Sequence, residues 1–242
     1  MMIIDFHCHV GRDFSGKVGE VLSFDGLKKS MDKNNIDKAV VFCFNGSDER
    51  LIDDSIEILN ESRKKNWIIP FLRFNPNSMT ESELIRLLDL GFKGVKLHSS
   101  AQKFKINDKK FYWIYKIISD RGIPVLFHCS AINRRYSHPN FIIDLARDFP
   151  YLVIVMAHFF GSKFSLIKSV LRFPNIYVDS SINSGSLRRF QAVRKFGFKN
   201  LLFASDVPYD SQSVALLKIK EAGLDKEEED LIFYKNALKV LD

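Results

Sequence analysis

Short apolar, β-branched runs recur along the chain over residues 2–6, 38–43, 67–72, 94–97, 123–127, 152–156, 176–178 and 201–204. They are near-continuously apolar rather than alternating, which fits strands buried on both faces, as in a parallel sheet. Each gap between them carries the punctuation of a helix. Thr80-Glu81-Ser82-Glu83 reads as a capping box before Leu84, Leu87 and Leu88, with Gly91 as the stop. Asp108 caps a stretch with Phe111, Ile114, Tyr115 and Ile118 on one side, ending at Gly122. Ser23 or Asp25 opens the first helix, and Pro139 suits the first turn of the fifth. The acidic run from Asp225 to Asp230 opens the last helix, where carboxylates favour the positive dipole end, and Leu231, Tyr234, Leu238 and Leu241 give that helix an apolar stripe. Eight strands alternating with helices predict an α/β protein, a single (β/α)8 TIM barrel with a C-terminal helix spanning 1–242 as one domain. An open doubly wound sheet is the other arrangement the alternation allows. The lack of Gly-x-Gly-x-x-Gly after the first strand weakens a dinucleotide site.

Composition adds little to the fold and more to the partners. Hydrophobic residues at 46% and charged residues at 27% exclude disorder and a simple coiled coil. No apolar run reaches the length of a membrane span. The start of the sequence lacks the pattern of a secretory signal, and three widely spaced cysteines, Cys8, Cys43 and Cys129, suit a reducing compartment, so a cytoplasmic protein is expected. The net charge of +7 raises nucleic acid as a partner, but the cations are scattered in small groups such as Arg63-Lys64-Lys65, Arg134-Arg135 and Arg188-Arg189. A solvated basic surface explains them, and attraction of small anionic substrates remains compatible with it.

The chemistry is carried by histidines. Five of the six, His7, His9, His98, His128 and His158, fall at the C-terminal ends of predicted strands. In a (β/α)8 barrel those ends form the mouth where active sites lie. His7 and His9 are two apart on a strand, so both side chains point the same way and Cys8 points the other. His128 ends the fifth strand, His158 follows the sixth and Asp206 ends the eighth, which neighbours the first when a barrel closes. A lone histidine at a strand end is usually a hydrogen-bonded structural residue; the whole set is not explained that way. Imidazoles and one carboxylate suit Zn²⁺, which lowers the pKa of a bound water toward about 7. Asp206 can bind through one oxygen and accept the water proton through the other.

The set resembles the amidohydrolase superfamily, with His-x-His on strand one, His on strands five and six, and Asp on strand eight. Ile4-Asp5-Phe6-His7-Cys8-His9, Gly91-Phe92-Lys93-Gly94-Val95-Lys96-Leu97-His98, Met156-Ala157-His158-Phe159-Phe160-Gly161 and Phe203-Ala204-Ser205-Asp206-Val207-Pro208 resemble its amidohydrolase-2 branch, which includes aminocarboxymuconate semialdehyde decarboxylase. The resemblance implies that His7, His9, His128 and Asp206 bind one metal while His158 orients or polarises water or substrate. It also allows a second ion held by His158 and a carboxylated Lys96. His98 shares a face with Lys96 and can contact substrate, and Arg73 or Arg134 can anchor a substrate carboxylate. Phe159 and Phe160 can wall the pocket.

The expected activity is therefore metal-dependent hydrolysis, with a metal-activated water attacking a small amide, lactone or ester; catalytic roles fall to Asp206 and His158. Metal-dependent decarboxylation or hydration of a small carboxylic acid uses the same ligands and is the alternative. A TatD-type metal-dependent nuclease is a lesser one, because Lys96 and His98 stand where those relatives carry a glutamate. The expected cofactor is one divalent metal, Zn²⁺ first, with Mn²⁺, Fe²⁺ or Co²⁺ and a second ion allowed. The expected partner is a small-molecule substrate, anionic ones included, with neither nucleic acid nor membrane and with a homodimer allowed.

Overall fold

The predicted apolar runs become eight parallel strands: β1 (Ile4–Arg12), β3 (Lys38–Cys43), β4 (Ile68–Arg73), β5 (Gly94–Leu97), β6 (Val125–Phe127), β7 (Ile154–Met156), β8 (Ile176–Asp179) and β9 (Leu201–Leu202). The computed structural model describes residues 1–13, 21–161, 164–170, 172–181 and 198–242. The Arg188-Arg189 pair and the side chain of Phe160 lie outside the described residues. A ninth strand not expected from the pattern, β2 (Val21–Leu22), pairs antiparallel with the end of β1 through Gly11–Leu22 and Arg12–Val21. The sheet order is β2-β1-β3-β4-β5-β6-β7-β8-β9, so every parallel neighbour is also the next in sequence. The sheet curls until the segment beyond β9 meets β1. Phe6 N–H donates to Phe203 O at 2.9 Å, Asp206 N–H to His7 O at 2.8 Å and His9 N–H to Val207 O at 2.9 Å. These contacts include one isolated parallel bridge, Cys8 to Val207, rather than a continuous ladder.

Alternation along the strands sorts two apolar layers. Val40 and Phe42 of β3 join Ile4, Phe6, Phe71, Leu126, Val155 and Leu202 inside the curl. Ala39, Val41 and Cys43 face outward into the layer shared with the helices. That period of two is what strand geometry dictates. Gly94 opens β5 where Phe71 fills the interior; a Cβ there would lie 2.4 Å from Phe71 Cζ, so only glycine lets β5 close on that ring.

The helices form where the caps predict. Ser23 caps α1 (Phe24–Lys33), its Oγ accepting Gly26 N–H at 3.0 Å. α2 (Asp48–Ser62) follows β3. Thr80 and Glu83 form the capping box of α3 (Glu81–Leu88). Asp108 caps a 3-10 turn, Lys109–Phe111, that leads into α4 (Tyr112–Asp120). Pro139 opens α5 (Pro139–Asp148), whose N-cap is His138. Two short pieces, α6 (His158–Gly161) and α7 (Ile167–Val170), follow β7; α8 (Gln212–Lys220) follows β9. Asp225 and Glu228 box the start of α9 (Lys226–Asp230), and a π-helical turn, Leu231–Lys235, joins it to α10 (Asn236–Leu241). Here the expected stripe is displaced. Ile232, Phe233, Ala237 and Val240 are the buried apolar positions, while Leu238 is 38% exposed. The sequence is apolar on two sides, and the face that packs is the one fixed by Asn236, whose amide donates to Phe198 O and Leu201 O at 2.7 Å each.

Candidate metal centre

The first strand reaches the site by way of a bulge. β1 pairs with β3 at Asp5–Ala39 and resumes at Cys8–Val41, with the register shifted between. Before the bulge, Ile4 and Phe6 belong to the interior layer; after it, Cys8 and Val10 belong to the outer one. His7 and His9 line a cavity of about 230 Å³. A bulge re-aims side chains in this way and is common beside active sites. Asp5 sits under the bulge and does not support the His7 ring. Its carboxylate accepts Ser205 N–H at 2.9 Å, Ser205 Oγ–H at 2.6 Å and the Gln212 amide at 2.9 Å. Asp5 thus fastens the segment that ends in Asp206 to β1. Burial raises its pKa against those hydrogen bonds.

The cavity brings together His7, His9, Lys96, His98, His128, His158 and Asp206, with Asn45 and Tyr209 at its wall. Asp206 Oδ1 lies 3.0 Å from His7 Nε2 and 3.1 Å from His9 Nε2. These donor atoms are close enough together to share one cation. His7, Asp179 and His158 form a second such grouping. Both Asp179 oxygens, however, are already engaged, Oδ1 by His158 N–H, Ser181 N–H and Ser181 Oγ–H, and Oδ2 by His7 Nδ1 at 2.7 Å. The first grouping is therefore the better fit to a metal. His9 points its Nδ1 at Cys43 O, 3.4 Å away, and His7 points its Nδ1 at Asp179, which leaves Nε2 of each ring as the metal-facing lone pair. The donor chemistry, two imidazole nitrogens and a carboxylate oxygen, fits a divalent transition metal.

Charge in this buried cluster is unevenly held. Burial alone would raise the pKa of Asp206, but His7 beside it keeps the carboxyl well below the usual range. Asp179 is held down at about 2, because the charge and hydrogen bond of His7 overcome burial. The His7 pKa is raised: burial and then Lys96 push it down, and Asp206 and Asp179 outweigh both. Burial lowers His9 to about 3 and His158 to about 4. Burial, then Arg73, brings Lys96 to about 7. Lys96 Nζ lies 3.2 Å from His7 Nε2 and 4.8 Å from the centroid of the Phe42 ring.

The other expected site residues fall in three places. His128 lines the cavity, its Nδ1 3.0 Å from His158 Nε2 and its ring stacked on His98 with centroids 3.8 Å apart. It is not among the three groups that meet at Asp206. His98 Nδ1 accepts Ala101 N–H at 3.2 Å, so its proton sits on Nε2. Arg73 is fully buried behind the cavity wall, donating to Cys43 O at 3.5 Å and to Asn45 Oδ1. Its Nε has no hydrogen-bond partner among the described residues. Arg134 is exposed in the loop after β6 and is not part of the cavity wall. Phe159 is buried in the outer apolar layer. Three residues of the site do not follow from the strand-end pattern as read: Asp179, Asn45 and Tyr209. Asp179 is the last residue of β8, close to the strand-end placement expected of the ligands, and that placement is its signal in the sequence. Tyr209 donates its hydroxyl to Asp13 at 2.6 Å and sets its ring edge-on to His9.

The amidohydrolase-2 sequence profile, described as amidohydrolase, matches residues 4–242. The chain belongs to the amidohydrolase-2 family. No curated protein matches its sequence. Solved structures do. A TIM-barrel protein from Bordetella bronchiseptica superposes with a TM-score of 0.79 at 18% identity, covering 100% of this chain and 98% of that one. A dihydroxybenzoic acid decarboxylase from Polaromonas sp. JS666, with bound manganese and an inhibitor, gives 0.79 at 13% identity, covering 99% and 96%. A protein from Pseudomonas putida assigned as a 2-pyrone-4,6-dicarboxylic acid hydrolase gives 0.74 at 16% identity, covering 99% and 97%. At these identities the likeness shows the TIM-barrel type of fold, which neighbours named as a decarboxylase and as a hydrolase share.

Proposed function

We propose that this chain is a metal-dependent hydrolase of a small carbonyl substrate, an amide, lactone or ester, with Zn²⁺ as its resident ion. The observation that carries the reading is the convergence of His7 Nε2, His9 Nε2 and Asp206 Oδ1 inside one small cavity. The chemistry a divalent ion supplies in such a site is acidification of water and polarisation of a carbonyl. Asp206, held ionised, has Oδ1 beside His7 and His9, and its Oδ2, 3.9 Å from His158 Nδ1, accepts the proton of the attacking water. His98 offers its Nε2–H to the oxygen that gains charge, and His158, which also lines the cavity, orients the water or substrate. A cavity of about 230 Å³ suits a small molecule. All three cysteines are unpaired and buried, which suits the cytoplasm.

One observation favours a second reading, decarboxylation of a small acid. Arg73 bonds to Asn45 and a backbone carbonyl rather than to a carboxylate, and its charge stands behind the wall that Asn45 presents. A substrate carboxylate seated against Asn45 would complement it.

The two readings separate in one experiment. Metal-loaded enzyme is supplied with a panel of lactones, esters, amides and aromatic acids in ¹⁸O-water. Hydrolysis incorporates label into the product acid; decarboxylation releases CO₂ and leaves the product unlabelled. Asp206→Asn should lower turnover at least roughly hundredfold. Turnover that survives both that change and metal removal would contradict the proposal.

A further inference from the structure

A chain of hydrogen bonds runs from Asp179 through Ser181 and His158 to His128, and its proton directions are fixed by chemistry. Ser181 Oγ lies 2.6 Å from Asp179 Oδ1 and 3.0 Å from His158 Nδ1. A hydroxyl has one proton, and an ionised carboxylate can only accept. Ser181 therefore donates to Asp179, and its oxygen accepts from His158 Nδ1–H. The short contact between His158 Nε2 and His128 Nδ1, 3.0 Å, requires one lone pair and one N–H. With the His158 proton already on Nδ1, Nε2 supplies the lone pair and His128 Nδ1 supplies the N–H. His128 is left with an unprotonated Nε2 on a ring that lines the cavity.

The same carboxylate holds two more groups. Its Oδ2 accepts His7 Nδ1–H, and its Oδ1 accepts the backbone N–H of His158 at 2.9 Å. That backbone has φ +61°, a left-handed conformation that costs a non-glycine residue of order 1–3 kcal/mol unless its surroundings enforce it. Asp179 and Ser181 are both buried, at 0% and 1% exposure, so water does not substitute for these bonds.

We propose that Asp179 and Ser181 are positioning residues that set the tautomers of His158 and His128 and hold the Nδ1–H of His7, leaving Nε2 of His128 as a lone pair and aiming Nε2 of His7, which shares a proton with Asp206 Oδ1 in the metal-free chain, for a cation that displaces that proton. The tautomer half of the inference stands on the chain as it is; the metal half rests on the function proposed above.

The test is long-range ¹⁵N–¹H correlation of the histidine rings in metal-free protein, with zinc affinity measured by chelator competition. The wild type should show His158 and His128 each as the single Nδ1–H tautomer. Ser181→Ala, a smaller residue that fits without strain, should give mixed tautomers at both rings and a zinc affinity roughly tenfold to hundredfold lower. Ser181→Thr, which restores the hydroxyl, should recover both. Asp179→Asn should extend the mixing to His7. A wild-type His128 protonated on Nε2, or unmixed tautomers in Ser181→Ala, overturns the relay. Shifted tautomers with unchanged zinc affinity overturn its role in metal binding. A wild type that takes up no zinc defeats the functional reading, and the ring tautomers still decide the relay.

Discussion

Lys96 shows most plainly what burial does to a single residue here. The residue is 1% exposed and its pKa falls to about 7, whereas the unfolded chain keeps the proton to near 10.5. Between those values the unfolded state binds more protons, so the Lys96 contribution to stability rises with pH. Urea midpoints of metal-stripped protein should therefore climb relative to Lys96→Met over that window, and Lys96→Met should be the more stable protein at pH 7. A pH dependence identical in the two proteins would contradict the account. The same scale explains what was legible in the sequence. His7, His9, Lys96, His98, His128, His158 and Asp206 all stand within a few residues of the C-terminal ends of the apolar runs, and all line one cavity. Asn45 and Tyr209 come from connecting segments, whose paths no periodicity specifies. Asp179 was hidden for another reason. An aspartate after Ile176-Tyr177-Val178 reads as an ordinary strand terminator until its partners, 172 and 21 residues away, are known.

At the scale of elements, the caps and strand runs were local properties and could be read locally. The bulge in β1 could not, because it is a relation between β1 and β3, and strict alternation would have set Asp5 and His7 on one face. The packed face of the last helix was hidden similarly, since both of its sides are apolar and tertiary contact decides. Two changes test the elements directly. Gly94→Ala forces a Cβ against the Phe71 ring and should cost about 1–3 kcal/mol in urea unfolding, as overpacking does. Thr80→Ala removes the oxygen that caps α3 and should cost about 0.5–2 kcal/mol while leaving metal binding unchanged. A Gly94→Ala protein as stable as the wild type would mean that β5 and β4 are not as closely apposed as described.

At the scale of the molecule, one curled sheet gathers residues from the two ends of the sequence. His7 and Asp206 meet because the segment after β9 bonds to β1, with Asp5 fastening Ser205 there. The net charge of +7 acts at this scale as well. A net positive charge of this kind attracts small anions from a distance. Turnover of an anionic substrate should weaken only gently as salt rises, in contrast to the steep dependence expected of contact with many phosphates. Among the described residues no helix is long and apolar enough to cross a membrane.

All of this converges on metal content per chain, measured by elemental analysis on protein purified without chelator or affinity-tag metal, beside His7→Ala and Lys96→Ala. The account predicts about one equivalent of a divalent transition metal, lost in His7→Ala and retained in Lys96→Ala. Protein that holds no metal and takes up none on reconstitution, or that keeps its full complement in His7→Ala, would contradict it.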